Sequence, residues 1–66
     1  MNYGKNLKYQ REQYGLSMME LAKKIDTSHQ NISRWENDKV LPNIDFCVKL
    51  ADFYGITLDE LIGRNI

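Results

Sequence analysis

The stretch Thr27–Asn37, TSHQNISRWEN, sets Gln30 and Arg34 four residues apart, with Ser28, His29, Ser33 and Asn37 around them and Ile32 and Trp35 between. A primary amide presents a donor beside an acceptor, and a guanidinium presents five donors in a planar fork. Side chains of this kind recognise a partner whose surface is itself an array of donors and acceptors. They are poorly suited to bond breaking. The one His (His29) and the one Cys (Cys47) fall on different expected helices, with no base paired to either. No spacing of His, Cys, Asp or Glu reads as a metal site, and no glycine-rich phosphate loop or convergent carboxylate pair occurs. The sequence therefore reads as a non-enzyme that needs no cofactor.

These groups need an element that turns them all outward. Helical spacing runs through the chain, no segment alternates cleanly at period two, and β-branched residues never cluster. A helix over 29–36, capped by Ser28, places Ile32 and Trp35 inward. At 100° per residue, Gln30, Ser33, Arg34 and Asn37 then point outward, with His29 at the N-terminal tip. Any surface helix has a polar outer face, so the face alone is weak evidence. What precedes it carries more. Ser17 and Glu20 form a capping-box pattern, and Leu21, Ala22 and Ile25 give the buried side of a second helix. Asp26, a residue that tolerates the left-handed conformation, interrupts that helix. Only about three residues, DTS, separate the two helices, which favours the steep crossing of a helix-turn-helix unit, at about 17–36.

The remaining elements follow from the same signals. A first helix is expected over about 3–14, with Tyr3, Leu7 and Tyr14 on one face and Gly15 as its stop. Pro42 prevents the third helix from continuing. Asn43 caps a fourth helix over about 44–54, whose stripe is Ile44, Cys47, Leu50, Ala51 and Tyr54, and Gly55 closes it. Thr57 and Glu60 repeat the capping-box spacing before a short fifth helix with Leu61 and Ile62. The expected architecture is all-α, a compact five-helix bundle in a single domain over 1–66, with the helices at about 44–62 serving core and dimer contact.

The chain has 66 residues, of which 42% are hydrophobic, so one small core is the limit. No apolar run approaches the ~20 residues of a membrane span, and the N-terminal segment lacks a signal-peptide core. A lone cysteine cannot form an internal disulfide, which fits a reducing, cytoplasmic setting. The net charge is zero, which counts against a polyanionic partner. The charge is unevenly spread, however. Residues 1–39 hold seven basic side chains against five acidic, and residues 40–66 hold two against four.

The major groove of DNA admits one α-helix and displays donors and acceptors on base edges. Gln pairs with adenine through two bonds and Arg with guanine through two, so Gln30 and Arg34, one turn apart, can read neighbouring base pairs. Ser28, Asn37 and Lys39 lie at the helix ends, where phosphates would run. The free amides near Ser17 and Met18, at the start of helix two, offer a further phosphate site.

The stretch GLSMMELAKKIDTSHQNISRWENDKVLPNIDFCVKLADFYGITLDELIG resembles the Cro- and phage-repressor-type helix-turn-helix family, also called the xenobiotic-response-element type. The resemblance covers roughly residues 3–63. Its specific parts are ELA at 20–22, ISRWENDK at 32–39, Pro42, LA at 50–51 and LDELIG at 58–63. It implies a lambda-repressor-like five-helix domain that binds pseudo-palindromic operators as a dimer, in a bacterial or phage-encoded, nucleoid-associated regulator. By the same resemblance the base-contacting positions are His29, Gln30, Ser33 and Arg34. The phosphate-contacting positions are Ser28, Asn37 and Lys39, with Arg11 nearby and paired to Glu36. The chain departs from the family pattern at Met18, where a Gln is usual, and at Asp26 and Asp38, where Gly is usual.

Several residues keep two readings. Arg34 reads a base, or else contacts a phosphate or a local partner. His29 contacts DNA or is merely solvated. Met18 packs inside the protein or against a thymine methyl. The Arg11–Glu36 pair is a surface contact worth under ~1 kcal/mol, or a structural clamp that also presents Arg11 to phosphate. Cys47 reads as a buried small hydrophobe. With no second domain expected, a homodimer contact falls on the apolar C-terminal half, at Phe46, Phe53, Leu58, Ile62 and Ile66. With ~3–4 phosphates neutralised per subunit, log affinity would fall against log salt at a slope of about −5 to −7. The alternative is a protein-interaction module, such as an antitoxin or a partner of another regulator, which the zero net charge favours.

Overall fold

The computed structural model describes residues 3–64. Five helices follow one another: α1 (Tyr3–Gln13), α2 (Met18–Ile25), α3 (His29–Glu36), α4 (Ile44–Tyr54) and α5 (Leu58–Ile62). α1 packs on α3 and α5, α2 packs on α3 and α4, and α4 packs on α5. The result is the all-α five-helix bundle that the sequence pattern implies, with its core where these helices meet.

Local chemistry sets the helix starts. Ser17 Oγ accepts from the Glu20 amide while the Ser17 amide donates to Glu20 Oε1, at 3.1 and 2.8 Å. Thr57 and Glu60 close the same reciprocal box on α5. Ser28 Oγ accepts from the Asn31 amide, and Asn43 Oδ1 accepts from the Phe46 amide. Each cap satisfies an amide that the first helical turn leaves unpaired. Asp26 ends α2 in the left-handed conformation at φ 60°, with its N–H donating to the Ala22 carbonyl. Only Asp26, Thr27 and Ser28 separate α2 from α3.

The core comprises Leu7, Leu21, Ala22, Ile25, Ile32, Trp35, Leu50, Ala51, Tyr54 and Leu61. Ile32, Leu50 and Leu61 are sealed from solvent, and burying such side chains contributes about 1.5–3 kcal/mol each. Cys47 is half-buried, its Sγ donating to the Pro42 carbonyl at 3.6 Å, and burial pushes its thiol pKa up.

Four sequence expectations need correction. Ile44, expected on the buried stripe of α4, is 67% exposed, because the side of the first turn that meets the core is the one carrying Phe46, whose ring lies 5.2 Å from Trp35. Phe46 and Phe53, expected to lie free beyond that stripe, are partly buried against the core. Phe53 stacks on Tyr54 and Tyr14 at 5.2 and 5.9 Å. Tyr14, expected to face inward, keeps half its surface in water, although its hydroxyl donates to the Tyr54 carbonyl at 2.8 Å.

Candidate nucleic-acid interface

α3 divides cleanly into two faces. Ile32 and Trp35 are buried, and His29, Gln30 and Arg34 are exposed. Ser33 is half-buried between the two sets. The four residues expected to face a base therefore share one helix, three of them exposed. Arg34 is not loose on that surface: its Nη1 donates to Asn31 Oδ1 at 3.3 Å, and Asn31 Nδ2 donates to Thr27 Oγ1 at 3.0 Å. Neither Asn31 nor Thr27 stood out in the sequence, although the i, i+3 spacing of Asn31 and Arg34 was the available signal.

The residues expected to meet phosphate divide into two groups. Ser28 and Lys39 are exposed at the two ends of α3. Ser28 uses its oxygen as the cap acceptor, which leaves the hydroxyl proton to donate outward. At α2, the Ser17 and Glu20 amides are consumed by the capping box. The amides of Met18 and Met19 are left as the first-turn donors without an intrahelical partner. The Met18 side chain is partly buried and packs against the core.

Asn37 and Arg11 sit differently from the expectation. The Asn37 Nδ2, the donor a phosphate would need, is folded back onto the Ser33 carbonyl and Oγ at 2.8 and 3.3 Å. Arg11 is only 9% exposed. Its Nε and Nη2 donate to the two carboxylate oxygens of Glu36 at 2.7 and 2.9 Å, and its Nη1 donates to the Leu16 carbonyl at 2.8 Å. The Glu36 hydrogen bond raises the Arg11 pKa above its ordinary value against the opposing effect of burial. The expected pair exists, and of its two readings the buried ion pair is the structural clamp and not the exposed surface contact. It ties the end of α1, the loop before α2 and the last turn of α3 together, and so fixes how α3 is presented.

Asp38, just past α3, occupies the left-handed region at φ 58°. Its carboxylate accepts the Gly4 N–H at 3.0 Å, binding the start of α1 to the end of α3. The approach is so close that a Cβ on Gly4 would lie 2.5 Å from the Glu36 carbonyl oxygen.

Of the residues expected at a dimer contact, Leu58 is 41% exposed, Ile62 is half-buried, and Ile66 lies outside the described residues. Val40, Leu41, Ile44 and Val48, none of which was expected at a dimer contact, are also exposed. Among the described residues there is no group of His, Cys, Asp or Glu that could hold a metal, and no helix long and apolar enough to cross a membrane.

A short helix joined by three residues to a second, whose outer face presents amide, hydroxyl and guanidinium groups, defines a helix-turn-helix domain. A helix-turn-helix family profile matches residues 7–61, and the chain belongs to that family. It is 34% identical over 65 residues to the HTH-type transcriptional regulator ImmR of Bacillus subtilis (strain 168), which covers 98% of this chain and 51% of ImmR. It is 42% identical over 61 residues to the HTH-type transcriptional regulator PuuR of Escherichia coli (strain K12), covering 92% of this chain and 33% of PuuR. The chain thus spans about half the length of the first of these relatives and a third of the second. Among solved structures, the P22 c2 repressor in complex with synthetic operator 9T superposes with a TM-score of 0.89 at 22% identity, covering 98% of both chains. The five-helix repressor-type fold is therefore shared.

Proposed function

We propose that this chain is the sequence-specific, double-stranded-DNA-binding domain of a transcriptional regulator, a repressor that grips a two-fold symmetric operator as a homodimer. The carrying observation is that Gln30 and Arg34 stand exposed on α3 directly above buried Ile32 and Trp35. α3 lies in the major groove, with Gln30 and Arg34 reading base edges and His29 and Ser33 flanking them. Phosphates fall to Lys39, the Ser28 hydroxyl and the first-turn amides beside Ser17 and Met18. Arg11 and Asn37 are left out of this set because Arg11 is buried against Glu36 and the Asn37 amide is folded back onto Ser33. As such a regulator the protein acts in the cytoplasm on bacterial or phage DNA. The regulators and the operator-bound repressor to which the chain is similar support this reading.

The domain measures 31 × 24 × 21 Å. Two copies side by side can set their α3 helices about 34 Å apart, one turn of DNA. In this reading the homodimer contact draws on Leu58 and Ile62 of α5. Phe46 and Phe53 contribute little, since their own core covers them.

The test is selection of bound sequences from a random duplex pool, followed by anisotropy titrations. Arg34→Ala should weaken the selected site by ~1–3 kcal/mol and relax one base preference, whereas Lys39→Ala should weaken all duplexes alike. Failure to bind any duplex at low salt ends the reading. Leu58→Asp should yield monomers by sedimentation, and a dimer that survives it puts the contact elsewhere.

A protein-interaction role is the second reading. The observation in its favour is that the apolar side chains Leu41, Ile44 and Val48 are exposed. It predicts that no sequence is enriched from the pool.

A further inference from the structure

Arg34 has a long side chain in open solvent, yet it is tied down. Its Nη1 donates to Asn31 Oδ1 at 3.3 Å, one turn back along α3. Asn31 is itself anchored twice. Its backbone amide donates to the Ser28 cap, and its Nδ2 donates to Thr27 Oγ1 at 3.0 Å. Thr27 belongs to the turn, where its own N–H donates to the Ala22 carbonyl at the end of α2 at 2.9 Å. Asn31 and Thr27 are both half-buried. A chain of contacts therefore runs from the end of α2, through Thr27 and Asn31, to the Arg34 guanidinium.

The chemistry leaves one orientation for the Asn31 amide. A guanidinium has no acceptor, so the amide oxygen must face Arg34 and the amide nitrogen must face the threonine hydroxyl. Helical side chains lean towards the helix N-terminus. The tether to Asn31 holds Arg34 in that lean, over the end of the helix that carries His29 and Gln30. One Nη1 hydrogen is used in this way, and the Nε–Nη2 edge stays free. That edge is the two-donor fork that fits guanine O6 and N7.

We infer that Asn31, held by Thr27, is a positioning residue that presets Arg34 to read a G·C pair, so that specificity at one base step is set by a residue that touches no base. The inference rests on the reading that α3 enters the major groove. Its cause is entropic. Arg carries several rotatable bonds, and fixing them before DNA arrives removes an ordering cost from the specific complex. In a nonspecific complex Arg34 need not adopt one orientation, so the tether gives no advantage there.

The test uses the full chain, a duplex selected from a random pool, its single-base variants, and a random duplex of equal length. Arg34→Ala first identifies the base step at which discrimination disappears. Asn31→Ala should then lower discrimination at that same step by about 2- to 12-fold, with binding to the random duplex unchanged. In the Arg34→Ala background, Asn31→Ala should have no further effect. Thr27→Val, which keeps the shape and removes the hydroxyl, should show a smaller loss at the same step. Asn31→Asp keeps an oxygen for Arg34 and can accept the threonine proton. It should therefore retain the discrimination while its added charge weakens all duplexes together. A residue serving only helix stability would lower binding to selected and random duplexes alike and would add to the Arg34→Ala loss; either result overturns the inference. If Arg34→Ala removes a base preference that Asn31→Ala leaves intact, only the positioning role falls. If Arg34→Ala removes no preference, the base-reading assignment falls and the positioning role falls with it.

Discussion

Removing Glu36 probes the clamp that seats the outward-facing helix. Both Glu36 carboxylate oxygens meet Arg11, at 2.7 and 2.9 Å, and both residues are nearly out of water. An exposed ion pair contributes about 0.2–1 kcal/mol. Losing one partner of a buried pair costs about 3–5 kcal/mol instead, because the surviving charge is left uncompensated in a poorly hydrated site. Chains of 66 residues have a total stability of only about 3–10 kcal/mol. Glu36→Leu and Arg11→Met each therefore bring the protein close to unfolding. The double variant carries neither charge. Its remaining defect is the Leu16 carbonyl, which loses the Arg11 Nη1 donor. Leu16 is half-buried, so water can replace that donor and the cost falls to about 1 kcal/mol. The double variant should thus be more stable than either single variant by ~2–4 kcal/mol. Urea unfolding followed by Trp35 fluorescence gives all four corners of the cycle. It is best run near ~10–20 °C, where stability peaks, with sucrose added equally to all four if a single variant requires it. Single variants that lose under ~1 kcal/mol, or a double variant that loses the sum of the two, would refute the clamp as a buried unit.

Gly55 closes α4 at φ 67° with no atom within 4 Å of where a Cβ would sit. Gly55→Ala therefore isolates backbone strain and should cost about 1 kcal/mol by the same titration, and a much larger loss would point to a steric clash instead. Glu20 and Glu60 accept from the Ser17 and Thr57 amides, and these hydrogen bonds hold both carboxyls below their ordinary value of 4.5. A folded-state value below the unfolded one means that the stabilisation is complete above the unfolded value and is lost as pH falls through the folded one. The melting temperature should drop below about pH 4.5, and Glu20→Gln with Glu60→Gln should flatten that drop, since a Gln oxygen accepts without titrating; parallel curves for the two proteins would contradict this. With Arg11 withdrawn from the surface, ~2–3 phosphates remain to be neutralised by each subunit, so the salt slope for a dimer on its operator should ease to about −4 to −5. A slope near −7 would mean that further cations reach the backbone.

The parts of this fold set by neighbours in sequence were legible before any coordinates. α3 and α4 lie at 29–36 and 44–54 as the pattern implies, and Ser17, Ser28, Asn43 and Thr57 all serve as caps. A cap acts over three residues, so the sequence carries the whole of its chemistry. The errors arose where distant elements decide the outcome. Helical spacing puts Ile44 on the same side as Ala51, but Ile44 is exposed and it is Phe46 that packs against Trp35, a residue of another helix. Arg11 and Glu36 are 25 positions apart, and their spacing cannot distinguish a solvated pair from a sealed one. Asp38 stands where the family pattern has glycine, and its spacing gives no sign of a partner. The structure gives that carboxylate the Gly4 N–H, a contact 34 positions away. At the candidate site, the outward set on α3 followed from periodicity. The tether of Arg34 did not, because an i, i+3 pair is formed only if rotamers allow it.

A neutral chain can face a polyanion when its charges are unevenly placed. Glu36 is buried and paired with Arg11, so it adds no unpaired negative charge to α3. Within α3 the exposed charged side chain is Arg34, and Lys39 follows it in the next turn. Fields from exposed charges fade over about 8–10 Å at physiological salt, so the side chains around the contact outweigh a sum taken over the whole chain. Neutrality still has a consequence. Bulk attraction supplies most nonspecific affinity for DNA, and a chain without it starts from weak background binding. On the proposed reading, discrimination then depends on a few hydrogen-bonding groups being correctly placed before they meet the base edges. A tether on Arg34 therefore matters more in this domain than it would in a strongly basic one.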